Sequence, residues 1–99
     1  MTLRTYISGP MTGIEHFNFP AFNAEAAKLR AMGVEVINPA EHGEDDPTMQ
    51  WSDYLRKDIR LLMDCNAIHM LPGWTKSKGA MLEYHIASKL GYAITGALR

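Results

Sequence analysis

The chain has a single cysteine, no long hydrophobic segment and almost no excess of either charge. Cys65 has no internal partner for a disulfide, which is compatible with a reducing compartment. No apolar run approaches the roughly 18 residues that a membrane helix needs, and Met1 leads into Arg4 instead of a signal-peptide core. The net charge of -1 supplies no general field for DNA, RNA or an acidic membrane. We therefore expect a cytoplasmic protein with neither a nucleic-acid polymer nor a membrane as partner.

The residues that are present fit one compact domain. The chain has 99 residues, of which 46% are hydrophobic and 21% are charged, and these values are ordinary for a globular protein. A chain of this size buries only about 60 to 65% of its unfolded surface. We predict a single domain over residues 1–99 and expect a homodimer or a larger homo-oligomer.

Hydrophobic periodicity alternates along the chain between the strand type and the helix type. Short β-branched or alternating runs predict strands at residues 3–8, 34–37, 67–71 and 92–95. Apolar residues at helical spacing predict helices at residues 19–32, 50–64 and 77–90. Residues 40–48 have neither period and are predicted to form an exposed loop. This alternation predicts an α/β fold, a three-layer flavodoxin-like or Rossmann-like sandwich with a four-stranded parallel sheet in the order 2-1-3-4.

Two turns at the carboxyl ends of predicted strands are candidate ligand-binding segments, because open parallel sheets bind ligands there. The first is Ser8-Gly9-Pro10-Met11-Thr12-Gly13, whose glycines allow backbone N–H groups to approach a phosphate or a sugar. The second is Lys76-Ser77-Lys78-Gly79, where a hydroxyl and two cations at a helix start suit an anion. The alternatives are a tight connection for the first segment and a solvated basic helix terminus for the second.

Two carboxylates occupy apolar helical stripes. Asp58 belongs to the stripe 51, 55, 58 and 62, and Glu83 belongs to the stripe 79, 83, 86 and 90. Two acids that face one region repel or share a proton unless a cation or a substrate intervenes. A raised pKa suits one acid to proton donation, and the other could attack or stabilise a sugar cation. Alternatively, either acid contacts an arginine such as Arg56 or Arg60, or lies in solvent.

The position of Asp58 within its helix also predicts a distance. If that helix starts near Gln50, Asp58 lies two turns into it and about 12 Å from the mouth of the sheet. Either this helix begins later than Gln50, or Asp58 is less central to the site than Glu83.

Several aromatic residues are further candidates. Tyr6 is near the carboxyl end of the first strand, where its phenol could donate to a catalytic carboxylate, although tyrosine is also an ordinary strand residue. Trp74, Phe17 and Phe19 fall in predicted loops, and each could stack on a nucleobase or fill the core. The four histidines and Cys65 share no metal-ligand spacing, so neither a metal nor a cofactor is expected.

These segments together resemble the nucleoside 2-deoxyribosyltransferase-like superfamily over almost the whole chain. The resemblance rests on Tyr6-Ile7-Ser8-Gly9-Pro10-Met11-Thr12-Gly13, on Asp58 and the apolar helix and strand that follow it, and on Ser77-Lys78-Gly79-Ala80-Met81-Leu82-Glu83. The chain looks closest to the short, phage- and prophage-associated branch, and it is more distantly similar to 2'-deoxynucleoside 5'-phosphate N-hydrolases. The resemblance implies cleavage of the N-glycosidic bond of a nucleoside or its monophosphate.

The resemblance also implies roles for individual residues. Glu83 matches the glutamate that attacks C1' and forms a covalent intermediate, Asp58 matches an aspartate that assists proton transfer or binds the sugar, and Tyr6 matches the tyrosine that orients the nucleophile. Ser77 and the turn from Gly9 to Gly13 would hold the sugar or its 5'-phosphate. Fuller members continue beyond the position of Arg99 through a segment that helps to build a neighbouring subunit's site, so the resemblance does not extend to an acceptor-base subsite.

Two classes of function follow from these expectations. The first is a small enzyme that hydrolyses the bond or transfers the sugar between bases, with Glu83 as nucleophile. The second is a non-catalytic protein that sequesters a nucleotide in the same pocket. Trp74, Lys78 and Gly79 are predicted to bind the ligand in either class.

Overall fold

Four parallel strands form the central sheet of this computed structural model, which describes residues 3–42 and 48–99. The strands are β1 (Arg4–Ser8), β2 (Glu35–Ile37), β3 (Ala67–Met70) and β4 (Ala93–Gly96). The helices are α1 (Phe19–Ala31), α2 (Trp51–Met63) and α3 (Lys78–Lys89). The sheet order is β2-β1-β3-β4 with every pairing parallel. The predicted fold class and strand order are therefore confirmed, and every element end lies within one residue of the predicted one.

The alternation of side chains along β1 divides the core into two clusters, one on each face of the sheet. Ile7 points to the face that α1 covers and packs with Phe22 and Leu29. Tyr6 points to the opposite face and belongs to a cluster with Leu62 of α2 and with Ala80 and Ala87 of α3. The molecule therefore has three layers, with α1 on one side of the sheet and α2 and α3 on the other.

Hydrogen bonds at the starts of α2 and α3 set where these helices begin. The backbone N–H of Gln50 donates to the Asp53 carboxylate at 2.9 Å, as in a capping box. The Ser77 hydroxyl oxygen accepts from the backbone N–H of Ala80 at 3.2 Å, which is the usual action of an N-cap serine. Both helix starts lie at the carboxyl end of the sheet, so the caps position side chains of the first turns there.

A short 3-10 turn, Pro39–Glu41, replaces the first part of the predicted loop. The Arg30 guanidinium donates to both Glu41 carboxylate oxygens, at 2.8 and 2.6 Å, and so ties this turn to α1. Residues 43–47 of the predicted loop lie outside the described residues. Among the helices of the described segments, none has the length and apolar character that crossing a membrane requires.

Two residues of the predicted apolar stripes are exposed. Leu90 is 55% exposed and Trp51 is 51% exposed. The buried residues of α3 are instead Ala80, Glu83 and Ala87. Leu90 follows the last residue of α3 and precedes Gly91, whose φ of 77° ends the helix. The predicted inward position of Glu83 holds, whereas that of Leu90 is wrong.

Gly9 gives a test of the packing between β1 and the segment after β3. A Cβ at this position would lie 2.7 Å from Leu71 Cβ and 3.0 Å from its Cδ1. We expect Gly9→Ala to lower the free energy of unfolding by about 1 to 3 kcal/mol, because a methyl group there overpacks the core. Urea unfolding followed by circular dichroism measures the change, with Ser88→Ala on the exposed side of α3 as control. Equal stability of wild type and Gly9→Ala would contradict this packing.

Candidate active site

A cavity of about 490 Å³ opens at the carboxyl end of β1, between the two helical layers. Its wall includes the end of β1 and the loop that follows, the first turn of α1, the first two turns of α2 and the start of α3. The volume lies within the usual range for small-molecule sites. The carboxyl edge beside β1 and β3 is also where the strand order reverses, which is the expected ligand position in such sheets.

Glu83 lies in this cavity with both carboxylate oxygens hydrogen bonded. The Tyr6 hydroxyl donates to Oε2 at 2.6 Å, and the Ser8 hydroxyl donates to Oε1 at 2.7 Å. Tyr6 and Ser8 are two residues apart on β1 and therefore face the same side of the sheet. Glu83 itself is 5% exposed. The two hydroxyls thus fix the orientation of a buried carboxylate that reaches the cavity from α3.

Burial dominates the ionisation of Glu83. It raises the pKa of the Glu83 carboxyl to about 7, while the hydrogen bonds from Tyr6 and Ser8 oppose the rise and the charge of Asp58 adds to it. The pKa of Tyr6 is raised well above its usual value by burial and by the neighbouring Glu83. Tyr6 therefore remains protonated and continues to donate its hydrogen bond across the physiological range.

Asp58 lines the same cavity from α2. Burial raises the pKa of its carboxyl to about 6, and the Lys57 ammonium opposes the rise. The sequence estimate of about 12 Å from the mouth did not anticipate that α2 lies along the cavity, so that its first two turns form one wall. Arg56 pairs with Asp53 at 3.9 Å, so this arginine is not the partner of Asp58.

Six of the residues that line the cavity are aromatic. The chain has three Phe, four Tyr and two Trp residues, and six of these nine line the cavity, namely Tyr6, Phe17, Phe19, Phe22, Trp51 and Tyr54. The rings of Phe17 and Phe19 lie 6.0 Å apart at an interplanar angle of 45°. An aromatic wall of this kind suits a planar ligand that stacks on its faces.

Trp74 has a packing role and does not line the cavity. Its indole N–H donates to the carbonyl oxygen of Ala97 at 2.9 Å, and its ring stacks on Tyr84 with the centroids 4.5 Å apart. The segment after β4 thus returns to the 3-10 turn that carries Trp74. The prediction that Trp74 contacts the ligand is not supported by this position, and Trp51 is the tryptophan in the cavity wall.

The predicted binding residues divide into two groups. Gly9, Met11, Ser77 and Gly79 line the cavity. Ser8 is buried behind Glu83, to which its hydroxyl donates, and it does not face the cavity.

The other three predicted binding residues, Pro10, Gly13 and Lys78, are not part of the cavity wall. The carbonyl of Pro10 accepts a hydrogen bond from the Asn18 side chain at 2.9 Å. Gly13 has a φ of 81° and open space around it. Lys78 is exposed at the first position of α3.

Sequence reasoning missed several residues of the wall. Trp51, Tyr54 and Leu55 follow the helical spacing of the predicted site residue Asp58, and this pattern also describes a helix that packs on a core. The available signal was the presence of an acid and two amphipathic aromatics in that stripe. His16 and His42 also line the cavity, and the Lys57 ammonium donates to the His42 carbonyl oxygen. No group of three or more His, Cys, Asp or Glu residues that could hold a metal ion occurs within residues 3–42 and 48–99.

Comparison with known proteins identifies both a family and a structural relative. A solved structure of the 2-deoxyribosyltransferase from Bacillus psychrosaccharolyticus superposes with a TM-score of 0.72 at 14% identity, covering 94% of this chain and 70% of that chain. This likeness supports the α/β fold. No curated protein matches the sequence significantly. The family model described as domain of unknown function DUF4406 matches residues 3–96, and the chain therefore belongs to the DUF4406 family.

Proposed function

We propose that this protein cleaves the N-glycosidic bond of a nucleoside, a deoxynucleoside or a nucleoside 5'-monophosphate through a covalent glycosyl intermediate on Glu83. The observation that carries the proposal is the buried Glu83 carboxylate, which two hydroxyls orient toward a cavity that also contains Asp58. Paired carboxyl groups of this kind serve as nucleophile and acid–base in glycoside cleavage.

In the first step, an oxygen of the ionised Glu83 carboxylate attacks C1' of the sugar. The C1'–N bond breaks, its electron pair goes to the base nitrogen, and Asp58 gives that base a proton. Positive charge develops at C1' in the transition state, and the Glu83 carboxylate stabilises it. The ester oxygen that does not bind C1' keeps its hydrogen bond from a β1 hydroxyl.

In the second step, a new nucleophile attacks C1' and the carboxylate of Glu83 leaves. If water attacks, Asp58 accepts its proton and the product is the free sugar. If a second base attacks, Asp58 accepts the proton of its attacking nitrogen and the product is a new nucleoside. Hydrolysis and transfer therefore share the same first step and differ only in the acceptor.

Two independent observations support a nucleoside as substrate. Six aromatic residues line the cavity, and aromatic rings hold bases of any type by stacking. The structural relative is a 2-deoxyribosyltransferase described as a biocatalyst for the synthesis of nucleosides. The raised pKa of Asp58, about 6, suits proton donation to a leaving base near neutral pH.

A panel assay tests the proposal and separates it from the binding alternative. The protein is incubated with nucleosides, deoxynucleosides and their 5'-monophosphates, and release of free base is measured by chromatography. The proposal expects base release from at least one compound by wild type, and none by a Glu83→Gln variant that still binds that compound. Binding by wild type without release of any base would favour the sequestering function. Residence in the cytoplasm, the phage association and the homo-oligomer stay predictions.

Ser8 offers a test of how Glu83 is held. In Ser8→Ala, Oε1 of Glu83 loses the hydrogen bond from the Ser8 hydroxyl, so the pKa of Glu83 should rise further. Base release at pH 6 should then fall about tenfold, because less Glu83 is ionised. The KM should change little because Ser8 does not line the cavity. The acidic limb of the plot of base-release rate against pH gives a kinetic pKa. ¹³C NMR of the Glu83 carboxyl carbon gives the pKa of this residue directly.

Ser8→Cys is the comparison variant, because it keeps one heavy atom on Cβ and weakens the donor. We expect its pKa and rate to lie between those of wild type and Ser8→Ala. An unchanged Glu83 pKa in Ser8→Ala would contradict this role of the hydroxyl.

A further inference from the structure

The charges around the cavity distinguish between the two substrate classes that the proposed function allows. All ten Lys and Arg residues of the chain lie in its described part, and Lys57 is the one that lines the cavity. Its ammonium donates to the His42 carbonyl oxygen and lies close enough to Asp58 to lower the pKa of that carboxyl. The one Lys or Arg of the wall thus already has an acceptor and a neighbouring acid. His16 and His42 also line the wall, and Nε2 of His16 lies 3.4 Å from the Glu15 carboxylate.

The two lysines that the sequence suggested for an anion do not reach this cavity. Lys76 and Lys78 flank the start of α3, but both are exposed and neither is part of the wall. Residues 43–47 lie outside the described residues, and their sequence contains three acidic residues and no Lys or Arg. Lys57 is therefore the only Lys or Arg residue among those of the described segments that line the cavity.

The remaining groups at the mouth do not replace a cation. The Ser77 hydroxyl oxygen accepts the Ala80 N–H, which leaves the hydroxyl proton as a single neutral donor. The Ser77 carbonyl accepts the Met81 N–H. Pro10 has no backbone N–H to donate. The dipole at the start of α3 favours one negative charge, and Glu83 occupies the second turn of that same helix. A phosphate would have to share this field with a carboxylate that is already there.

We infer that the ligand of this cavity is a nucleoside that carries no phosphate group, an inference that rests on the proposed function. A 5'-phosphate brings a charge between -1 and -2 near neutral pH, next to two carboxyl groups and a single ammonium that is already hydrogen bonded. Phosphate sites in proteins are normally built from arginine, lysine or several free N–H donors. An unphosphorylated nucleoside meets the aromatic wall and the two acids without that repulsion.

Isothermal titration of the full chain with matched pairs tests the inference. Each pair is one nucleoside and its own 5'-monophosphate, for example thymidine with thymidine 5'-monophosphate and deoxyguanosine with its monophosphate. We expect the nucleoside of every bound pair to bind at least tenfold more tightly. A positive charge added at the exposed wall residue Thr12 should remove the disadvantage of the monophosphate. Thr12→Lys is expected to improve monophosphate binding at least tenfold, whereas the uncharged Thr12→Gln is not.

Each outcome has a distinct meaning for the two proposals. Tighter binding of the nucleoside supports the inference, and it does so even if no base is released, which would contradict the proposed function alone. Equal or tighter binding of the monophosphate overturns the inference, while base release from that monophosphate would leave the proposed function standing. Absence of binding by both members of every pair contradicts both proposals.

Discussion

Replacing Glu83 by glutamine is expected to lower base release at least 1,000-fold while leaving ligand binding within about threefold of wild type. The amide keeps the volume of the side chain and can pair with the hydroxyls of Tyr6 and Ser8, because hydroxyls accept as well as donate. It cannot form the glycosyl ester, so the covalent route is lost. Single-turnover assays with quenched samples measure the release, and calorimetry measures the binding.

The same substitution has an expected effect on stability that checks the fold of the variant. The folded-state pKa of Glu83 is raised to about 7 by burial, so the folded protein holds this proton more tightly than the unfolded chain does. Stability from this group is therefore present at low pH and is lost as pH rises toward 7. Glu83→Gln should be more stable than wild type at pH 8 by roughly 1 to 3 kcal/mol. Glu15→Gln on the surface is the control.

The second large effect is expected for Asp58→Asn, which should lower base release about 100-fold or more at pH 6.5. Proton transfer by a positioned side chain contributes roughly this much to a rate. In wild type, carboxyl groups with pKa values of about 6 and 7 share one proton between those values. Glu83 holds this proton in most molecules, and the active form is the smaller fraction in which Glu83 is ionised and Asp58 is protonated. The wild-type rate profile is therefore expected to be bell-shaped with its maximum between about pH 6 and pH 7.

Asp58→Asn should also lose the alkaline limb of that profile, because only ionisation of Glu83 remains. A nucleoside whose base is permanently cationic, such as a 7-methylated purine nucleoside, leaves without a proton and should be cleaved by Asp58→Asn nearly as fast as by wild type. Asp53→Asn, on the same helix but paired with Arg56, is the matched control. If Asp58→Asn lowers the rate equally for ordinary nucleosides and for nucleosides with a cationic base, Asp58 does not act as an acid. That result would favour a structural role for Asp58.

The fold of this protein follows closely from local patterns in the sequence. β-branched runs that end at Gly9, Asn38 and Pro72 mark strands, and the intervening helical periods make the crossovers that a parallel sheet needs. Strand order, three layers and all seven main elements were predictable on this basis. Prediction from the sequence was least accurate at the ends of elements. At Leu90, for example, the periodic apolar stripe continues past the last residue that packs on the sheet.

The candidate site was predictable only where it depends on local geometry. The inward position of Glu83 follows from its stripe on α3, and the nearness of Tyr6 follows from the end of β1. Trp74 was expected at the ligand, whereas Trp51 is the tryptophan that lines the cavity. The burial of Trp74 depends on the segment after β4 returning to it, a contact that no local pattern records. Ser8 was expected at the ligand, but the alternation along β1 directs its hydroxyl to Glu83 instead.

The covalent intermediate on Glu83 is the central claim, and mass spectrometry of the quenched protein tests it most directly. A nucleoside that the protein cleaves is mixed with it, the reaction is stopped with acid within milliseconds to seconds, and the digest is examined for a peptide that carries the added sugar. The account predicts a glycosyl adduct on Glu83 that disappears as free base accumulates and is absent from Glu83→Gln. Base release by wild type at full rate with the adduct on another residue, or continued release by Glu83→Gln, would contradict it.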